Sequence, residues 1–306
     1  MDGFAMPLPI LGLHHVTSKS SDPRGTDRFW RQGLGLRRIK QTVNFDNPSV
    51  YHLYYGDAVA APGSVMTYFP FPGLARGSRG TGEVSAVAFA VPVGSLDFWE
   101  ARLGAAGAGD VMSDTWFGEA GLSFAAPDSD AFCLVESAGL AHSENTDIAG
   151  LRGVTLRLAD IGSTAEILTE FGYRSAGIEG NASRYQLPNA KTGDVVDLIA
   201  DPPAPKAVEG AGSVHHVAFG VGDLADQDRV RSAMLAMGQK VTGVRDRDYF
   251  QSIYFRTPGG VLFEVATEGP GFAVDEDMAH LGETLKLPAQ HAHLRARLEA
   301  ELVPLD

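Results

Sequence analysis

The chain has 306 residues, 44% hydrophobic and 21% charged, the profile of a globular protein long enough for about two domains. Its formal net charge of −13, with no run of Lys or Arg, repels phosphate backbones and argues against a nucleic-acid partner. A single cysteine, Cys133, excludes an internal disulfide framework and fits a reducing compartment.

The first stretch, MDGFAMPLPILGLHHV, lacks a basic region followed by a long apolar run. No later segment approaches the ~18 apolar residues of a membrane span, so the expectation is a cytoplasmic protein with no membrane partner. From residue 11 one grammar repeats four times: a small residue, a strand-like apolar run, a polar break, then an amphipathic helix ending near glycine. The four segments are LGLHHVTSKSSDPRGTDRFWRQGLGLR (11–37), GEVSAVAFAVPVGSLDFWEARLGAAG (82–107), GLRGVTLRLADIGSTAEILTEFGYR (150–174) and GSVHHVAFGVGDLADQDRVRSAMLAMGQ (212–239). Aligned, they place His15, Ala86, Gly153 and His216 at equivalent positions, in steps of 71, 67 and 63 residues. That period is too long for a solenoid and suits a duplicated βαβββ module. The GLGLR at 33–37 lacks the context of a dinucleotide loop and reads as the end of the first module helix.

Strand-like runs follow each helix. VYHLYYGD and GSVMTYFPF follow in module one, and YFQSIYFRTPGGVLFEVAT in module four, with TPGG as a hairpin turn. TVNFDNP and Tyr51, His52, Tyr54 and Tyr55 form a polar-aromatic hairpin that either lines a pocket or simply packs. Cys133, in AFCLVE, reads as a small core residue. The expected fold is therefore α+β, with four βαβββ modules and mostly antiparallel sheets in two domains. Residues 1–140 would form an N-terminal domain from modules one and two, and 150–270 a C-terminal domain from modules three and four. Polar stretches at 138–150 and 201–212 serve as linkers, and 271–306 is a helical tail. In that tail LPAQHAHLRARLEAEL (287–302) sets Leu294, Leu298 and Leu302 on one helix face, with His291 and His293 at the surface.

Two histidine doublets and one acid carry the chemistry. Strand alternation turns His15 and Thr17 to one face and His14 to the other, and likewise separates His216 from His215. Glu264 sits in the apolar run GGVLFEVAT, where a lone charge is costly unless it is paired or bound to a metal. Two imidazoles and a carboxylate form the facial set of non-haem Fe(II) oxygenases, and the same set tolerates Mn(II). The competing reading is two satisfied core histidines and an isolated acid, but repetition at a repeat-equivalent position favours the metal site. If Pro258-Gly259-Gly260 is the hairpin loop, Thr257 opposes Val261 and Tyr254 opposes Glu264, which turns its phenol to the metal face. Asp197 aligns with Glu264, but its module partner is Gly153, so it reads as a relic or a solvated carboxylate.

The modules resemble those of the vicinal oxygen chelate (glyoxalase/extradiol dioxygenase) superfamily, and more closely its ring-cleaving hydroquinone dioxygenases. The resemblance runs nearly end to end through GLHHVT, QTVNFDNPSVYHLYYGD, RGTGEV, VHHVAFGV, RDRDYFQSIYFRTPGGVLFEVAT and LGETLKLP. It implies Fe(II) held by His15, His216 and Glu264, and a ring-cleaving dioxygenase whose partners are a small para-dihydroxylated aromatic and O2. It also implies that Arg247 contacts an anionic intermediate, and that His14, His215 and Thr17 lie near substrate, with Tyr254 or a doublet histidine as proton donor. A homodimer is compatible with it. Two other readings compete: a metal-dependent lyase or isomerase of the same superfamily, and a non-catalytic binding or resistance protein for an aromatic compound. Neither explains four modules with one intact ligand set as directly.

Overall fold

The computed structural model describes residues 7–137, 146–190 and 193–305. Residues 138–145 of the expected linker lie outside it. Each sequence repeat becomes one strand, one helix and three further strands. Module one comprises β1 (Leu13–Ser20), α1 (Pro23–Arg28), β2 (Arg37–Val43), β3 (Tyr51–Gly56) and β4 (Val65–Pro70). Module two comprises β5 (Glu83–Val91), α2 (Leu96–Ala105), β6 (Gly109–Trp116), β7 (Glu119–Ala125) and β8 (Ala131–Glu136). Module three comprises β9 (Gly150–Leu158), α3 (Gly162–Glu170), β10 (Arg174–Glu179), β11 (Ala182–Gln186) and β12 (Val195–Ala200). Module four comprises β13 (Val214–Val221), α4 (Leu224–Ala236), β14 (Arg245–Asp246), β15 (Phe250–Arg256) and β16 (Leu262–Pro270). In modules one and four the polar break caps the helix. Asp22 accepts from the Arg24 amide ahead of Pro23, and Asp223 accepts from the Ala225 and Asp226 amides.

The strands form two eight-stranded sheets, in the orders β14-β15-β16-β13-β1-β4-β3-β2 and β10-β11-β12-β9-β5-β8-β7-β6. Most neighbours are antiparallel; only the first and last strands of each module run parallel. The α+β expectation holds, but the halves of the chain do not correspond to the sheets. Modules one and four share the first sheet, joined by antiparallel β1 and β13. Modules two and three share the second, joined by β5 and β9. Residues 1–140 and 150–270 thus each contribute half of both sheets. Four equivalent modules have equivalent edges, so local pattern does not dictate which pair joins.

The two crossings between sheets run side by side, through bridges Arg76–Ala211, Ser78–Val208 and Thr81–Lys206. Glycine is required there: a Cβ on Gly80 would come within 2.2 Å of the Pro205 carbonyl. Between the sheets lies the main core. Trp30 packs on Tyr55 and Tyr68 of the first sheet and on Phe89 and Phe132 of the second. Phe171 plays a matching part against Phe219 and Phe263.

In the tail, the expected helix over 287–302 begins only at α5 (Arg295–Glu301), after a 3-10 segment over Ala289–Leu294. Leu298 is fully buried, as its apolar face requires. The tail is tied down by Lys40, a fully buried ammonium on β2 that meets Asp275 and Glu276. No helix among the described residues is long and apolar enough to cross a membrane.

Candidate metal centre

The first sheet brings the two doublets together where β1 and β13 pair. Leu13 pairs with Phe219 and His15 with Ala218, so His14 is an extra residue on β1. Thr17 pairs with His216 and Ser18 with Val214, so His215 is the extra residue on β13. Each doublet therefore begins with a β-bulge, which interrupts strict alternation and re-aims side chains. This corrects the expectation for His215, which reaches the cavity wall; His14 stays off that wall, and both rings lie against the rings that follow them.

Glu264 on β16 stands beside Ala218 of β13, and thereby one strand away from His15. Its Oε2 lies 3.3 Å from His15 Nε2 and 2.9 Å from His216 Nε2, and the two Nε2 atoms are 3.2 Å apart. All three residues are buried. Oε2 has no hydrogen-bond partner, because its other oxygen takes the available donors. Ser252 and Tyr254 both donate to Oε1, Tyr254 at 3.0 Å. Tyr254 is opposite Glu264, and the Thr257 amide donates to Val261 O, as the hairpin count expected.

The outer nitrogens complete the pattern. His14 and His15 approach through their Nδ1 atoms at 2.9 Å, and His215 and His216 do so at 2.8 Å. With a cation drawing the Nε2 lone pairs inward, each inner ring would carry its proton on Nδ1 and donate it to the histidine before it. Burial and the adjacent ring push both His14 and His215 down to about 3, so each is a neutral acceptor. Burial also lowers His216. Glu264 is held well below the usual carboxylate range, although burial opposes this, because two imidazoles face it. Three buried groups that can each offer a lone pair thus converge within 3.3 Å of one another, a donor set that fits a divalent cation taking the place of the protons they share.

Beside this triad lies a cavity of about 350 Å³, lined by His15, His215, His216, Glu264, Tyr254 and Arg247 among others. Arg247 Nε donates to the Tyr254 hydroxyl at 3.1 Å, and its guanidinium lies over Phe45 and reaches Asp46. Burial raises the Tyr254 phenol well above its ordinary value, so it is protonated. Arg247, expected on the family resemblance, is thus at the site. His14 and Thr17 are not on the cavity wall. His14 supports His15 from behind, and Thr17 bonds Thr67 at 2.7 Å.

Several participants were missed. Ser252 shares the face of Tyr254 two residues away, and alternation alone could have found it. Thr67 of β4 occupies the place that Glu264 has in β16, since each flanks the first strand of its module. His52 bonds Thr67 at 2.9 Å and Tyr54 at 2.8 Å. The module-one hairpin does both things the sequence left open: Asn44, Phe45, His52 and Tyr54 line the cavity, while Tyr51 and Tyr55 pack in the core. Phe250 closes it from another side, 5.2 Å from the centroids of both His14 and His15. The C-terminal tail braces this wall through His291, whose Nε2 lies 2.9 Å from the Phe45 carbonyl oxygen.

In the second sheet, Asp197 is neither solvated nor idle. It is buried and paired with Arg184. Cys133 is half-buried rather than packed in the core, with burial pushing its thiol up to about 11.

Residues 182–265 match the model of the Glyoxalase/Bleomycin resistance protein/Dioxygenase superfamily. The chain is 41% identical to MhqE of Bacillus subtilis (strain 168), provisionally named a ring-cleaving dioxygenase, over 90% of this chain and 93% of that one. It is 34% identical to the chlorohydroquinone/hydroquinone 1,2-dioxygenase of Sphingobium indicum, over 93% and 94% of the two chains. A crystal structure of a provisionally named dioxygenase from Bacillus subtilis superposes with a TM-score of 0.93 at 36% identity, covering 99% of each chain.

Proposed function

The chain belongs to the Glyoxalase/Bleomycin resistance protein/Dioxygenase superfamily, alongside proteins named ring-cleaving dioxygenases, and on that premise we propose that it opens a para-dihydroxylated aromatic ring with O2. His15, His216 and Glu264 hold the metal, which we take to be Fe(II) with Mn(II) as the alternative. The observation that carries this reading is Glu264 Oε2, buried and without a hydrogen-bond partner between two imidazole Nε2 atoms, at the wall of a cavity sized for one ring. When bound, Fe(II) supplies a cationic centre with open positions and the redox chemistry that dioxygen requires.

The chain's own residues do the rest. Two hydrogen bonds on Oε1 leave Oε2 free as the single ligating oxygen. His14 and His215 fix the tautomer of the two ligating rings. Phe45, Phe69, Phe250 and Tyr54 form an apolar slot that holds a flat ring and excludes bulk water. Tyr254 carries a proton within the cavity, and Arg247 behind it compensates negative charge as the substrate hydroxyl ionises. His215, also on the cavity wall, is the second candidate to receive or return that proton. In the overall change the bond between a hydroxyl-bearing ring carbon and its neighbour breaks. The first carbon becomes a carboxyl and the second an aldehyde, so both oxygen atoms enter the product and no external reductant is needed.

The test is anaerobic loading with Fe(II), followed by oxygen uptake with methylhydroquinone and, separately, with catechol. Uptake with the hydroquinone, matched mole for mole by loss of the aromatic spectrum, supports the proposal. Uptake with catechol alone keeps the metal site and moves the substrate class. Bound metal with no uptake from either rejects the dioxygenase reading, and a Glu264→Gln variant with unchanged metal content and turnover would reject the ligand set on which the mechanism rests.

A further inference from the structure

Duplication gives the second sheet a counterpart of the metal cavity. Ala86 and Gly153 stand at the places of His15 and His216, and Cys133 and Asp197 at those of Thr67 and Glu264. The bulges recur too, at Ser85 and Arg152, where the first sheet has His14 and His215. The sheet curls around a cavity of about 300 Å³.

This cavity is rebuilt, not merely decayed. A Cβ on Gly153 would come within 2.6 Å of the Val195 carbonyl oxygen, so no ligating side chain can stand there. Asp197, the one acid at a ligand position, is already neutralised. Arg184 grips it with Nε on Oδ1 and Nη2 on Oδ2, both at 2.8 Å, and Trp116 Nε1 donates to Oδ2 at 2.9 Å. Arg184 also meets Glu119, which Arg152 holds together with Asp194. The charges around Asp197 are therefore paired, and a charged ligand would have to break a pair to gain one there. The rest of the lining is mainly apolar, from Ala86, Ala88, Ile199 and the Trp116 indole, with the Asp114 carboxylate adding negative charge that disfavours an anion, and Asp197 keeps one open acceptor position. Asp197 Oδ1 takes a single hydrogen bond although a carboxylate oxygen can take two.

We infer that the second-sheet cavity is a metal-free binding site for a small neutral phenol. The hydroxyl of the phenol donates to Asp197 Oδ1, and its ring lies against Trp116. At about 300 Å³ the cavity is at the small end for ligand sites and suits a single ring. The inference does not depend on ring cleavage at the first sheet.

Trp116 is the reporter, since Trp30 and Trp99 are buried in the core. The metal-loaded protein is titrated anaerobically with 4-methylphenol while tryptophan emission and bound stoichiometry are followed. Saturable quenching is expected, kept in Glu264→Gln and weakened by roughly tenfold or more in Ala86→Phe, which fills the cavity and costs the buried hydroxyl its charge-assisted bond. Far-ultraviolet circular dichroism and the urea midpoint check that Ala86→Phe folds; if it does not, Ala88→Leu takes its place. Absence of saturable quenching, or quenching unchanged in the cavity-filling variant, overturns the inference. So does benzoate binding as tightly as the phenol, because the anion offers no donor to Asp197.

Discussion

Tyr254 and Glu264 face each other across β15 and β16, and the tyrosine hydroxyl donates to Oε1 of the carboxylate at 3.0 Å. Arg247 donates to the same hydroxyl from behind, so the phenol's lone pair and its proton are both committed. The tyrosine thus joins the one arginine on the cavity wall, among the described residues, to the acid of the candidate metal centre.

Replacing Tyr254 by Phe should weaken metal binding modestly, because Ser252 still occupies Oε1. It should lower turnover far more, by roughly 10²–10⁴, the range for loss of a positioned proton donor. Chelator competition and oxygen uptake measure the two effects separately. Equal losses in both would assign Tyr254 to the metal alone.

Removing the outer partner of a ligating imidazole should act on the metal first. His14→Leu leaves the Nδ1–H of His15 without its acceptor, and we expect roughly 10–100-fold weaker metal affinity. Far-ultraviolet circular dichroism should be unchanged. An affinity equal to that of the unaltered protein would mean that the His14 contact does no orienting.

Stability should depend on pH through Asp130. The Tyr68 hydroxyl donates to it, yet burial pushes this carboxyl up to about 6 from 3.8. The folded value exceeds the unfolded one, so the favourable contribution is full below the unfolded value and is lost as pH rises through about 6. Asp130→Asn should flatten that decline and stabilise the protein at pH 7.5 by about 2–3 kcal/mol, with Tyr68 donating to the amide oxygen. Urea unfolding at pH 4.5 and 7.5 decides it. A variant that keeps the full pH dependence places the proton elsewhere.

Lys40 anchors the tail. Lys40→Met should destabilise the chain by about 3 kcal/mol, because it leaves Glu276 buried beside Asp275 without a counter-charge. Limited proteolysis should then cut first within 271–290. Unfolding at the same urea concentration as the parent would show that the ion pair contributes little.

The convergence of the three candidate ligands was readable because His15 and His216 recur at one place in a repeat, and because Glu264 is a charge in an apolar strand. Period-two alternation read both doublets wrongly in one respect. A bulge is one inserted residue, and nothing in HHV distinguishes an inserted histidine from a paired one. Asp197 was misjudged for a similar reason: its partner Arg184 lies thirteen residues earlier on the adjacent strand, and pairing across strands depends on register. The sharing of sheets between modules one and four was also hidden, since each module is locally complete.

Because β1 pairs with β13, the ligand set ties position 15 to position 216, a separation of 201 residues, and then to 264. Bringing such distant points together costs roughly 5 kcal/mol of chain entropy by the logarithmic law for loop closure. A chain emerging from the ribosome therefore has no complete set of ligands until most of it has been made. Fragments and stalled products would carry one imidazole or two, too few to retain a metal ion. A cation at this centre would be captured only by a finished fold, and once captured it would act as a clasp between modules one and four.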